Sequence, residues 1–394
     1  MKNIIITGGE LFNKGAQAMT FIAVDEMKKR FPDHNIYVFS ERDCKRPKEE
    51  QEQYAFYFTG WYPYKFAKAH NNPLLRTVCL IRNGKDFRKC EELYRNTDIM
   101  LDISGYALGS IWSDNCNKLY LDNLRFAKEF QIPIYLMPQS FGPFMFEEEG
   151  RHEIDLQIRD LLPHCKVICA REKEGYDELT NKLGLKNVIL KPDLVLNNQS
   201  VDYSNVYKIV PKLSLPIIKK RSVAIIPNSH NASLKSKNVM LEIYQKVIQY
   251  LIDEKYEVCL IYHAVEDQKI CKELKDCFCR DERVQLMDQE FSCREFSEMV
   301  KNFDFLIASR YHSIVHAYKK TVPCVVLGWA TKYYELVSMF EQEQYFFDMR
   351  EKLSEERLIS SVQRLAEVHK RESLRIERLL KDIQRENVFN IIKG

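Results

Sequence analysis

Short apolar runs recur along this chain, many of them closed by glycine, proline or a charged residue. Asn3–Thr7, Asn35–Ser40, Asp98–Ile103, Ile134–Met137, Lys166–Ala170 and Asn187–Leu190 read as buried strands in the first half. Val223–Ile226, Val258–Tyr262, Val284–Leu286, Phe305–Ala308 and Val325–Leu327 repeat the pattern in the second. Between them lie segments of helical period. Ala16–Phe31 puts Ala18, Met19, Ile22, Ala23 and Met27 on one face, and Met240–Glu254, Ser292–Lys301 and Leu353–Arg385 behave alike. Strand and helix in alternation predict parallel βαβ units and an α/β fold.

The most informative stretch runs from Phe305 to Tyr334. A strand, a helix carrying Ile314, Val315 and Tyr318, a second strand and a second helix follow one another, with Ser309 and Thr331 placed to cap the helices. Arg310 and His312 stand at the first strand-to-helix joint and Lys332 at the second. Open parallel sheets bind ligands beyond the carboxyl ends of their strands, where helix N-termini attract anions. Two cations, an imidazole and two helix ends on one rim suit a small, highly charged anion.

The first half has matching joints. Gly8-Gly9 through Asn13-Lys14-Gly15 links the first strand to its helix, but the strict GxGxxG and P-loop spacings are absent. Asp102, Ser104 and Gly105 follow a later strand, and Pro138 and Gly142 are expected to end another and expose Gln139. Arg171 is a third cation at a joint, with Glu174 and Asp193 as possible ion-pair partners. Asn228, His230 and His263 close strands of the second half. Tyr54–Lys68 is rich in aromatic residues, including Phe56, Tyr57, Trp61, Tyr62 and Tyr64, and reads as core packing or as a platform for a sugar or lipid carrier.

The chain has 394 residues, enough for two domains. Mixed polar sequence with Pro211 and Pro216 suggests a boundary, giving 1–205, 206–355 and a helical tail over 356–394 that lies across the body. A net charge of +3 gives no bulk argument for nucleic acid. Ile4-Ile5-Ile6 is too short for a signal-peptide core, and no apolar run approaches a membrane span, so a cytoplasmic protein is expected. The twelve cysteines are scattered and read as reduced thiols. His312 and His316 are four apart, but no third ligand has clear spacing, so no metal is expected.

Ser309-Arg310-Tyr311-His312-Ser313-Ile314-Val315-His316-Ala317, followed by Val322-Pro323, Gly328-Trp329 and Lys332-Tyr333-Tyr334-Glu335-Leu336, resembles the polysaccharide pyruvyl transferase family. The Gly8–Gly15 loop, Pro138-Gln139-Ser140-Phe141-Gly142-Pro143 and Ala170-Arg171-Glu172 with Pro192-Asp193 extend the resemblance from Gly8 to about Leu336. It implies two Rossmann-like domains facing across a cleft, a GT-B-type arrangement. It also implies transfer of a carboxyvinyl unit from phosphoenolpyruvate, as co-substrate and without a cofactor, to a sugar as a pyruvate ketal. Arg171 and Lys332 match the family's donor-binding positions, with Arg310 a third, and His312 matches its essential histidine. Asn13, Lys14, Gly15, Asp102, Ser104, Gly105, Gln139, Asn228 and His263 are then candidates to line the cleft or hold the acceptor. The first domain would be the acceptor side and the second the donor side. The acceptor would be a saccharide, free or polyprenyl-diphosphate-linked, the latter met at the inner face of the membrane by at most peripheral association. A nucleotide-sugar glycosyltransferase of the same architecture is the alternative, and a non-catalytic sugar- or anion-binding protein a third reading.

Overall fold

The computed structural model describes residues 2–60, 73–231 and 237–392. Trp61, Tyr62, Tyr64 and Phe66 of the aromatic stretch lie outside them. The first sheet holds β1 (Asn3–Thr7), β2 (Asn35–Phe39), β3 (Tyr57–Thr59), β4 (Thr97–Asp102), β5 (Tyr106–Leu108), β6 (Ile134–Phe141), β7 (Val167–Ala170) and β8 (Val188–Leu190). The second holds β9 (Ser222–Ile226), β10 (Glu257–Ile261), β11 (Val284–Met287), β12 (Phe305–Ala308), β13 (Cys324–Gly328) and β14 (Phe346–Asp348). Nearly every residue of the central strands is buried, as continuous apolar runs require when helices cover both faces.

The strand orders are β3-β2-β1-β4-β6-β7-β8, with β5 beside β6, and β11-β10-β9-β12-β13-β14. All these pairings are parallel. Each order reverses direction beside its first strand, between β1 and β4 and between β9 and β12. Such a reversal splays the following loops apart and leaves a crevice. The fold therefore supplies two crevices, one per sheet.

The two halves share a core. Ile4 and Ile6 of β1 belong to one apolar cluster with Ala224 and Ile226 of β9. Polar ties cross the interface too. The Lys14 ammonium donates to the His263 carbonyl (3.0 Å), the Cys293 N–H to the Gln17 side chain (2.6 Å), and the Lys319 ammonium to the Val195 and Asn198 carbonyls (2.7 and 2.6 Å). The helix Glu355–Ile383 buries Leu358, Val362 and Leu365 on the second half, then Ile376 and Leu380 in the shared core. Beyond it, Asn197 clamps the chain by bonds to the Ile383 and Glu386 carbonyls and the Val388 N–H.

Three local expectations need correction. Tyr311 and Thr331 start their helices, so the N-cap positions fall on Arg310 and Ala330, and neither helix has a side-chain cap. Ser309 is instead buried, its hydroxyl paired with that of Tyr244 at 2.9 Å. Pro138 does not end β6, which runs on to Phe141 and buries Gln139 completely. Proline has no N–H to give to a ladder, and the register against β7 accordingly shifts between Leu136 and Gln139. The helices Pro73–Arg95, Asp114–Glu129 and His152–Leu161 were not expected from the pattern. Of the aromatic stretch, Tyr54 and Phe56 do pack inward, their rings 5.1 Å apart, with Tyr54 also against Phe21 and Tyr207.

Candidate active site

The first crevice starts at Gly8. Its φ of +73° is a left-handed value, and a Cβ there would stand 2.2 Å from the Ser104 hydroxyl, so only glycine brings the two loops together. Asn13 ends the loop as a true N-cap, accepting from the N–H groups of Gly15 (2.9 Å) and Ala16 (3.4 Å). Gly15 is excluded from variation for another reason. A Cβ on it would lie 2.2 Å from the His312 ring, which reaches across from the second half. Lys14 turns away to the His263 carbonyl and lines neither cavity described below.

Asp102 and Gln139 also fall outside the cavities, because both are consumed beneath them. The buried Asp102 carboxylate accepts from Thr7 (2.7 Å), the Ser104 N–H and hydroxyl (3.1 and 2.9 Å) and Gln139 (3.0 Å). Burial raises its pKa despite these donors. The network fixes the Ser104–Gly105 turn that does face the cavity.

Arg171 is almost wholly buried, and its guanidinium is fully engaged. It bonds Asp193 (2.9 Å), Glu172 (3.4 Å), the Gly105 carbonyl (3.2 Å) and the Ser140 hydroxyl (2.7 Å), with its centre 4.4 Å from the Tyr311 ring. Arg310 makes a two-pronged pair with the buried Asp267 (2.7 Å for each bond) and a third bond to Glu266 (2.9 Å). Both arginines reach cavity walls with their charge already offset.

Lys332 is different. It makes no hydrogen bond or ion pair with any described residue; four aromatic rings surround its ammonium instead. Their centroids lie at 4.8 Å (Tyr106), 5.4 Å (Tyr311), 5.5 Å (Trp329) and 6.0 Å (Tyr333). Burial, and then the positive Arg171, push its pKa down to about 7. The His312 Nε2 lies 3.8 Å from Asp193, beyond hydrogen-bond reach, and has no partner among the described residues. Burial lowers its pKa to about 4 although Asp193 opposes this, so the imidazole is neutral near pH 7.

Two cavities flank these groups. The first, of about 690 Å³, takes in Gly8, Glu10, Asn13, Glu41, Arg42, Ser104, Gly105 and Arg171 from the first half. The second, of about 590 Å³, takes in Asn228, His230, His263 and Tyr333 from the second half, with no carboxylate among the described residues that line it. Asn13, Trp112, Arg310, Tyr311, His312, Trp329 and Lys332 border both. Each cavity sits at one of the two strand-order reversals. Asn228 holds the second rim together, donating to the Ser309 carbonyl (3.2 Å) and accepting from the His230 N–H (2.9 Å). His263 presents a ring with no partner for either nitrogen among the described residues, and burial keeps it neutral.

The structure thus gathers Asn13, Ser104, Gly105, Arg171, Arg310, His312 and Lys332 at the first cavity and Asn228 and His263 at the second. Gly15 acts as the floor against His312, while Lys14, Asp102 and Gln139 serve the scaffold. Sequence reasoning missed Glu10, Tyr106, Trp112 and the ring set around Lys332. Their one signal was position, since Glu10 and Tyr106 follow strands and Trp329 and Tyr333 flank Lys332. Among the described residues, no group of three His, Cys, Asp or Glu side chains is placed to hold a metal ion.

A sequence profile of the polysaccharide pyruvyl transferase family matches residues 13–331. The chain belongs to that family. No curated protein sequence matches it. Solved structures share its architecture at low identity. The UDP-GlcNAc 2-epimerase of Methanocaldococcus jannaschii superposes with a TM-score of 0.55 at 15% identity, covering 92% of each chain. That of Neisseria meningitidis bound to UDP-GlcNAc gives 0.58 at 13%, covering 95% of this chain and 94% of that one. Anabaena HepE in complex with UDP and glucose gives 0.58 at 10%, with 99% and 97% covered. At such identities the likeness establishes the fold alone: this pyruvyl transferase family member has a two-domain, GT-B-type α/β architecture.

Proposed function

We propose that the protein transfers the enolpyruvyl unit of phosphoenolpyruvate to a sugar of a cell-surface polysaccharide or its lipid-linked precursor. Phosphate is released and a cyclic pyruvate ketal remains. The observation that carries this reading is the Lys332 ammonium, with no carboxylate bonded to it among the described residues, beside the neutral His312 and between two helix N-termini.

The charge inventory divides the substrates. Phosphoenolpyruvate carries a phosphate and a carboxylate, and of the two cavities the second has no acid among its described lining residues. The first cavity adds Glu10 and Glu41, acceptors suited to sugar hydroxyls, and burial raises the pKa of Glu10. Donor in the second and acceptor in the first would meet at His312 and Lys332. One sugar hydroxyl attacks the central carbon as the methylene gains a proton and becomes methyl. Phosphate leaves, and a second hydroxyl closes the ring. Two hydroxyl protons are released, one replacing that given to the methylene and one leaving with phosphate. A neutral imidazole can accept the first of them. Fixed cations near the phosphate favour the charge on the leaving group.

A nucleotide-sugar glycosyltransferase is the second reading, favoured by the UDP and glucose held by Anabaena HepE and the UDP-GlcNAc held by the Neisseria meningitidis epimerase. Thermal melts separate the two. Millimolar phosphoenolpyruvate should raise the melting temperature, as any ligand of the folded state does, and UDP-GlcNAc should not. Phosphate release should then appear with a glycoside offering two neighbouring hydroxyls. Stabilisation by the sugar nucleotide and none by phosphoenolpyruvate would overturn the proposal.

A further inference from the structure

His263 stands two residues beyond β10, and its carbonyl holds the Lys14 ammonium at 3.0 Å. Its ring packs edge-on against Phe296, with centroids 5.1 Å apart, and is 2% exposed. It nevertheless lines the second cavity, and neither ring nitrogen has a hydrogen-bond partner among the described residues. Burial, and then the charge of Lys14, keep the imidazole neutral, so it retains one N–H. A buried N–H left unbonded is costly, so a partner from the cavity is expected. His316 packs on the same Phe296 ring at 5.6 Å and is equally unbonded. It lines neither cavity, so of the two only His263 can meet a ligand there.

Position along the rim points to the partner. The strands run in the order β10-β9-β12-β13, all parallel, so the loops beyond them stand side by side. Those loops and helix starts carry His263, Asn228, His312 and Lys332 in that order. Neighbouring strands lie about 4.8 Å apart, which puts the outer two roughly 14 Å apart at the backbone. Two side chains reaching inward leave room between them for a three-carbon phosphate. The charges at the two ends differ. Beside Lys332 stand Arg171 and the N-termini of the helices Tyr311–Lys319 and Thr331–Met339. Towards His263, Arg310 is matched by Asp267 and Glu266, and Lys14 has the carboxylates of Glu290 and Asp267 in its field. The first end suits a dianion and the second a single negative charge.

We infer that the His263 N–H binds the carboxylate of phosphoenolpyruvate in the second cavity, opposite the Lys332 ammonium, which takes the phosphate. The identity of the ligand rests on the proposed function; the unbonded N–H and its place on the rim do not. Such a contact selects among phosphates. A simple alkyl phosphate meets Lys332 alone, whereas a ligand with a carboxylate on the phosphate-bearing carbon also spans to His263. That carbon, the one attacked by the sugar hydroxyl, then lies between the two contacts, where the rim places His312.

The test compares phospholactate with ethyl phosphate, which differ only in the carboxylate, as ligands of the full chain. Melting-temperature titrations give both affinities without any turnover. His263→Phe keeps a ring against Phe296 and removes the N–H. It should weaken phospholactate by about ten- to a hundredfold, the range for one hydrogen bond to a charged group, and leave ethyl phosphate within about twofold. His263→Gln restores an N–H and should recover most of the lost affinity. His263→Leu takes the place of His263→Phe if that variant misfolds. The inference is overturned if phospholactate binds the phenylalanine variant as it binds the wild type, or if ethyl phosphate is weakened equally. A wild type that phosphoenolpyruvate stabilises, with nothing lost in His263→Phe, overturns this inference alone. A wild type stabilised by neither phosphoenolpyruvate nor phospholactate overturns the proposed function with it.

Discussion

Arg171 and Lys332 are both cations just beyond the ends of parallel strands, one in each sheet, and both border the first cavity. Their surroundings are opposite. Arg171 is held by two carboxylates, a carbonyl and a hydroxyl, whereas Lys332 is surrounded by aromatic rings and has no ion pair among the described residues. A guanidinium presents five donors in a fixed fork, so it can be buried once those donors are matched. An ammonium left in a ring cage keeps its field for an incoming anion and has a lowered pKa as the consequence. One cation braces the site while the other keeps its charge available to a ligand, although the resemblance to the family implies donor binding for both.

Removing the brace should have the largest effect. Arg171→Ala leaves Asp193 buried without its ion-pair partner, with the Val195 N–H (2.8 Å) still bonded to it, and breaking a buried pair from one side costs about 3–5 kcal/mol. Denaturant melts should show that loss. Stability within about 1 kcal/mol of wild type, with phosphoenolpyruvate binding abolished, would instead make Arg171 a pure ligand contact.

His312 stands between the two regimes, close to Asp193 yet not bonded to it. His312→Ala should lower turnover by about 10² or more, the scale of general acid–base catalysis, with little change in melting temperature. Near-normal phosphate release by the folded variant would remove the imidazole from the mechanism.

Lys332→Met should weaken phosphoenolpyruvate binding by about ten- to a hundredfold, the range for one lost charge-assisted contact, and should not destabilise the fold. Its pH signature is the most diagnostic effect. The folded pKa of about 7 lies below the usual lysine value near 10.4, so the unfolded chain binds more protons between them. Stability should accordingly rise with pH across that window in the wild type, and less in Lys332→Met. Equal slopes in the two proteins would place the ammonium in water and remove it from the cage.

Much of this architecture was legible before any coordinates. Strands such as Phe305–Ala308 and Val167–Ala170 are continuous apolar runs because both sheet faces are covered, and that burial is written directly into composition. The helix Pro73–Arg95 was not legible, since its exposed aliphatic residues blur the period that would reveal it. Gln139 was misplaced because proline reads as a terminator, while a bulged strand can pass through it.

By itself the sequence determined the alternation of strand and helix, the family, and the presence of Arg171, Arg310, His312 and Lys332 at strand ends. Only the tertiary structure decided what each of them does there. Asp193 lies 22 residues from Arg171 and Asp267 lies 43 from Arg310, and chain folding alone brings each carboxylate to its arginine. Gly15 meets His312 across nearly the whole length of both halves. Local sequence sets backbone preference and burial through neighbours a few residues away. The charge a ligand meets depends on carboxylates and rings that arrive from distant elements, and no local spacing records them.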